Sequence, residues 1–218
     1  MSKWLKVLLI VVGVLMIVLV AGFGYLTRDI ALDTVYHPPE ERPEIAQTPA
    51  DVGLDYEEVT VTTADGYNLV GWYVPGDNGA TVIAQHGSPG PMPDSLFEAS
   101  ILHAQGYNVL LSSFRAHGES DGEMITFGYH ETKDIEAWYR YLLTREEVDP
   151  ERIAIFGESM GGGTAILAAV ENPELKAVAV ASAFAMSQET IETFIGYEQP
   201  DLPGWLVPAL ARGIVFWV

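Results

Sequence analysis

Ile153-Ala154-Ile155-Phe156-Gly157-Glu158-Ser159-Met160-Gly161-Gly162 decides how the rest of the chain is read. Four apolar residues predict a short buried strand, and the small-residue run Gly162 to Val170 predicts a helix. Between them Gly157-Glu158-Ser159-Met160-Gly161 leaves room for only a tight turn. Strand, turn and helix with a serine at the turn is the setting of a nucleophile elbow. Such a turn strains the serine backbone and crowds the positions two before and two after it, which suits Gly157 and Gly161. It also aims the N-terminus of the next helix at the hydroxyl, where an oxyanion would develop. The five-residue pattern alone is a weak signal, and its setting makes it strong. A phosphate-cradling loop, the other reading of glycines ahead of a helix, needs a lysine that this segment lacks.

A second loop points to the same chemistry. His86-Gly87-Ser88-Pro89-Gly90 follows the apolar strand Ala80 to Gln85. A glycine-containing loop there can turn a backbone N–H toward the elbow, so Ser88 N–H is predicted to join Met160 N–H as an oxyanion donor. His86 reads as the residue that orders this loop. His117, within Phe114-Arg115-Ala116-His117-Gly118-Glu119-Ser120-Asp121-Gly122, reads as part of a hydrogen-bonded turn. His37, His103 and His130 also read as structural. No histidine follows Ser159. No His or carboxylate spacing suits a metal, and neither a metal nor a cofactor is expected.

Around these loops the pattern alternates strand and helix. Strands are predicted at Glu57 to Thr63, Asn68 to Val74, Ala80 to Gln85, Tyr107 to Ser112, and Leu175 to Ala181. Helices are predicted from Ser95 to Gln105, with Ser95 and Glu98 as a capping box, and from His130 to Thr144. Two opening strands followed by alternation give an α/β domain with a mostly parallel sheet.

The N-terminus reads differently. Val7 to Leu26 holds no charged residue and has the length of a bilayer span, longer than a signal-peptide apolar region. No small-x-small cleavage site ends it, so an uncleaved anchor is expected over residues 1–28. Lys3 and Lys6 lie before it and Arg28 beside Asp29 after it, placing the N-terminus in the cytoplasm and the remainder outside. Residues 29–51, rich in proline and acids, read as an extended linker. The net charge of −19, from 30 acidic and 11 basic residues, excludes nucleic acid as a partner and electrostatic docking on anionic lipid. The chain has no cysteine, hence no disulfide.

Together these segments resemble the α/β-hydrolase superfamily of serine hydrolases, in particular its membrane-anchored esterase-like and serine-aminopeptidase-like branches. The matching residues are Thr63-Ala64-Asp65-Gly66, Gly71-Trp72-Tyr73-Val74-Pro75, His86-Gly87, Arg115 to Gly122, and Gly157 to Gly162. They span roughly Tyr56 to Ala183. The resemblance implies an α/β-hydrolase fold, a mostly parallel sheet with flanking helices, and acyl transfer to water through an acyl-enzyme on Ser159. The expected substrate is a small acyl ester or peptide-like molecule.

The departure is the rest of the triad. In the family the acid and the histidine follow the serine along the chain, each after a further strand. Here an amphipathic stretch, Phe184 to Tyr197, a proline-rich turn and Trp205 to Val218 follow instead. Residues 52–183 are therefore read as the N-terminal portion of a hydrolase core, and 184–218 as the start of a cap. Neither the triad acid nor the triad histidine is assigned. A chain truncated at its C-terminus is the expectation, with little activity of its own. A non-catalytic, membrane-tethered binding protein is the alternative.

Overall fold

An alternating stretch from Glu57, the turn at Asp65-Gly66 and the apolar run Leu69 to Val74 give the opening hairpin. β1 (Glu57–Thr62) pairs antiparallel with β2 (Asn68–Val74), in register from Glu57 opposite Tyr73 to Thr62 opposite Asn68. Gly66 turns the chain at φ 94, and Thr63 closes the loop on Tyr67 through its N–H and its hydroxyl. The computed structural model describes residues 1–183 and 188–217, with only the backbone of Glu198.

β3 (Thr81–Gln85) and β4 (Asn108–Ser112) are buried at every residue. That is why they read as unbroken apolar runs: strands covered on both faces do not alternate. β5 (Ile153–Glu158) and β6 (Ala177–Ala181) complete a six-stranded sheet in the order β1-β2-β4-β3-β5-β6. β4, β3, β5 and β6 run parallel, and β2 joins them antiparallel.

Helices cover both faces. α2 (Leu96–His103) packs Leu96 and Ala99 on Trp72, Val74, Ala84, Val109 and Leu111. α3 (Thr132–Leu142) buries Ile135, Trp138, Tyr139 and Leu142, one stripe at helical spacing, and α4 (Met160–Glu171) follows the elbow. Gly71 admits Trp138: a Cβ there would lie 2.8 Å from the indole.

Two expectations need correcting. The capping box at Ser95 does not form, because a 3-10 turn over Met92–Ser95 precedes α2 and leaves Ser95 at φ −96, ψ 8. An N-cap hydroxyl needs an extended backbone to reach the helix N–H groups, and Ser95 Oγ is buried without a partner instead. The helix after the elbow begins at Met160, two residues earlier than its small-residue pattern suggests.

The sheet with α2, α3 and α4 forms one compact unit; α1 (Lys3–Val35), α5 (Gln188–Glu198) and α6 (Leu206–Trp217) form another. α1 has 33 residues, about 50 Å at 1.5 Å each. Its most apolar window has a mean hydropathy of 3.0 with no residue buried, so it is long and apolar enough to cross a membrane. The helix does not stop at residue 28 but continues through Arg28, Asp29 and Asp33 to Val35. Beyond it the proline-rich segment is not simply extended. Pro39 and Pro49 start short 3-10 turns at Pro39–Glu41 and Pro49–Val52, where their fixed φ fits. The amphipathic stretch expected from Phe184 is helical from Gln188; residues 184–187 lie outside the described residues.

Candidate active site

Register brings three loops to one edge. Gln85 at the end of β3 lies opposite Ser112 of β4 and Gly157 of β5. The segments that follow, at residues 86–91, at residues 113–122 and at Ser159, therefore emerge side by side at the carboxyl end of the parallel strands, where α/β sheets form their ligand crevices.

Ser159 occupies the elbow at φ 52, ψ −116, a conformation an L residue adopts only when its surroundings force it. Ser159 N–H donates to the Ala181 carbonyl at 2.9 Å, and Gly163 N–H donates to the Ser159 carbonyl at 3.1 Å. The flanking glycines set how closely the elements approach. A Cβ on Gly157 would strike the Gly161 backbone, and one on Gly161 would lie 2.8 Å from the Gln85 carbonyl oxygen and strike that of His86. The same absence of side chains brings the loop after β3 onto the serine. A Cβ on Gly87 would be 3.1 Å from Ser159 Cβ and 3.8 Å from its Oγ. Met160, buried, heads α4, so its backbone N–H belongs to the unpaired first turn.

The two histidines of this edge are fully committed. His86 Nδ1 donates to the Gly87 carbonyl at 2.7 Å, and its Nε2 accepts Phe114 N–H at 3.4 Å. His117 Nδ1 donates to the Arg115 carbonyl at 2.9 Å, and its Nε2 accepts the Ser88 hydroxyl at 3.0 Å. Burial pushes His86 below the ordinary imidazole range and His117 down to about 3, so both are neutral at pH 7. Their rings lie 5.0 Å apart, and His37 stacks on His117 at 5.7 Å. Farther off, His103 Nε2 meets the Pro75 carbonyl at 3.1 Å, and His130 packs against Tyr129. Among the described residues no imidazole or carboxylate hydrogen-bonds Ser159 Oγ. Downstream, Glu171, Glu174, Glu189 and Asp201 are exposed. Among the described residues no group of three or more His, Asp or Glu could hold a metal.

The roles of Arg115, Asp134 and Arg42 in supporting the loops escaped the sequence reading. Arg115 folds inward onto Asp134: Nη2 meets Oδ1 at 2.7 Å, Nε meets Oδ1 at 3.0 Å, and the Arg115 backbone N–H donates to Oδ2 at 2.9 Å. The same guanidinium reaches Asp65 at 3.1 Å, holding that carboxyl well below the usual range, and stacks over Tyr67. Arg42, in the proline-rich segment, clamps the 113–122 loop from outside. Its Nη1 donates to the carbonyls of Gly118 at 3.0 Å and Ser120 at 2.7 Å, and its Nη2 donates to that of Gly122. A lone arginine after Glu40-Glu41 was the available signal for it.

A six-stranded, mainly parallel sheet with a serine elbow between β5 and α4 and a glycine loop over it defines an α/β hydrolase. Residues 23–206 match the family described as X-Pro dipeptidyl-peptidase (S15 family), and the chain belongs to that family. The esterase Pf2001 of Pyrococcus furiosus superposes with a TM-score of 0.70 at 30% identity, over 84% of this chain and 68% of that one. The uncharacterized protein YfhR of Salmonella typhi is 33% identical over 152 residues, 67% of this chain and 49% of its own length. The α/β hydrolase domain-containing protein WAV2 of Arabidopsis thaliana is 30% identical over 131 residues, 58% of this chain and 42% of its own. The chain spans about half the length of the curated relatives it matches.

Proposed function

We propose that Ser159 is the nucleophile of a membrane-anchored serine hydrolase that cleaves a carboxylic ester or related acyl bond. The observation that carries this reading is the strained Ser159 backbone, wedged between Gly157 and Gly161 with Gly87 against its hydroxyl. Ser159 Oγ attacks the acyl carbon, the Oγ–C bond forms, and the carbonyl oxygen takes up the charge. The N–H groups of Met160 and Ser88 stabilise that oxyanion, helped by the N-terminus of α4. Collapse expels the alcohol, and water releases the acyl group to regenerate the serine. The proton of Ser159 needs an acceptor. His86 and His117, each with both ring nitrogens occupied, are loop-ordering residues in this scheme, and the general base and triad acid are assigned to none of the described residues.

The name of Pf2001 supports an ester, and the family's description supports a peptide bond as the second reading. Turnover of p-nitrophenyl butyrate and of an Xaa-Pro-p-nitroanilide by the natural gene product, with Ser159→Ala as control, separates them. Ester cleavage lost in Ser159→Ala is the expected result. Cleavage of the anilide alone would transfer the reading to a peptidase, and ester turnover unchanged in Ser159→Ala would refute both. Binding without turnover would leave the tethered, non-catalytic protein.

We place the N-terminus in the cytoplasm and the hydrolase unit outside it, because Lys3 and Lys6 outnumber Arg28 across the span. A reporter fused after Leu54 reads this directly: activity only when exported supports the placement, and cytoplasmic activity overturns it.

A further inference from the structure

α6 is apolar nearly all round. From Leu206 to Trp217 its only charged residue is Arg212. A helix of that composition belongs in a protein core or in lipid. Yet only Leu210, Ala211 and Ile214 are buried, in a small cluster with Ala31 of α1 and Ile191 of α5. Val215, Phe216 and Trp217 are exposed, as is Trp205 just before the helix; Phe216 is 78% exposed.

The height of this surface follows from one close contact. Gly213 crosses α1 at Thr27: a Cβ on the glycine would lie 2.8 Å from Thr27 Cβ and 3.0 Å from its hydroxyl. Thr27 is the residue immediately after Leu26, where the uncharged run ends. α6 thus meets α1 where the span would leave the bilayer. Phe216 is three residues beyond Gly213, only about 4.5 Å along the helix. Interfacial helices bury their apolar side about 5–10 Å into the boundary between headgroups and acyl chains, and tryptophan is enriched at that level.

We infer that α6 is a membrane-contacting helix, whose exposed last turn of Val215, Phe216 and Trp217 lies in the interfacial layer of the bilayer that α1 crosses. The inference rests on reading α1 as a span. The partner is lipid of any headgroup, because a chain of net charge −19 is not drawn to anionic lipid and the exposed face of α6 is apolar. Past Leu206, α6 lies outside the family match, which covers residues 23–206.

The absence of cysteine gives a direct test. Phe216→Cys, Val14→Cys and Glu146→Cys each supply one thiol for a bimane label at an exposed position. The full chain is reconstituted in phosphatidylcholine vesicles carrying a doxyl quencher either near the headgroup or near the chain end, and iodide quenching is read alongside. The Phe216 label should be quenched by the headgroup-proximal doxyl lipid, with an iodide quenching constant about threefold below that at Glu146. Val14 should respond to the deep quencher. If Val14 is lipid-quenched while Phe216 matches Glu146, the inference fails and the span stands. If Val14 itself is iodide-accessible, the span fails, and the inference with it. A Phe216 label shielded from iodide and from both lipids marks a protein partner or a second copy, and also overturns the inference.

Discussion

Removing Arg115 tests the support beneath the candidate active-site edge. Asp134 is fully buried, Arg115 is 3% exposed, and the guanidinium supplies the charge that neutralises the carboxylate. Arg115→Met keeps the aliphatic volume but leaves a buried charge unpaired, a change that typically costs about 3–5 kcal/mol. That is a large share of the roughly 5–15 kcal/mol that holds a domain together. Adding Asp134→Asn removes the stranded charge while keeping a carbonyl for the backbone N–H of residue 115, so the double variant should recover most of the loss. The single variant also has a pH signature. Burial already pushes Asp134 up to about 6 against the pull of the guanidinium, and without that pull the folded variant titrates higher still. The folded variant then binds the extra proton as pH falls, and its deficit relative to wild type shrinks from pH 7 toward pH 5. Urea unfolding followed by tryptophan fluorescence, with buried Trp138 as a reporter, reads all three effects. A single-variant loss under about 1 kcal/mol, or a double variant no better than the single, would refute the assignment of Arg115–Asp134 as a coupled buried pair.

Three other outcomes follow from the same geometry. His117 and His86 titrate lower folded than unfolded, so the unfolded chain takes up protons first; stability should fall as pH drops below about 6.5, by up to about 1.4 kcal/mol per pH unit per histidine, and His117→Gln should flatten that slope in urea titrations between pH 7 and 5. Arg42→Ala frees the carbonyls of Gly118, Ser120 and Gly122, and limited proteolysis should cut the 113–122 loop about tenfold or more faster, with the sheet still intact by circular dichroism. Gly161→Ala places a Cβ 2.8 Å from the Gln85 carbonyl oxygen, so the elbow and the loop after β3 must part at a cost of about 1–3 kcal/mol; the variant should melt several degrees lower, and an unchanged melting temperature would contradict the packing described.

Much of this was legible from local pattern. The buried strands announced themselves as apolar runs, and the elbow as a strand, a serine between glycines, and a small-residue helix. Crowding by backbone, which a sequence expresses directly as glycine, explains why Gly157, Gly161 and Gly87 could be picked out. What stayed hidden depended on partners far along the chain. Arg115 lies 50 residues from Asp65 and 19 from Asp134, and Arg42 lies 76 from Gly118; no periodicity links such positions. The Ser95 box failed for a local reason, since the pattern of a cap says nothing of a 3-10 turn arriving from the wrong direction. α1 runs on past Arg28, Asp29 and Asp33 to Val35, because charged residues that stay exposed do not end a helix. Thr27, Ala31 and Val35, buried on one side of that extension, carried the signal at helical spacing.

The central claim is that Ser159 is a nucleophile. Its most direct test is to treat the natural gene product with a fluorophosphonate and map the adduct by mass spectrometry. The account predicts a single phosphonylated residue, Ser159, with labelling abolished in Ser159→Ala. An adduct on another serine, or labelling that survives Ser159→Ala, would contradict it.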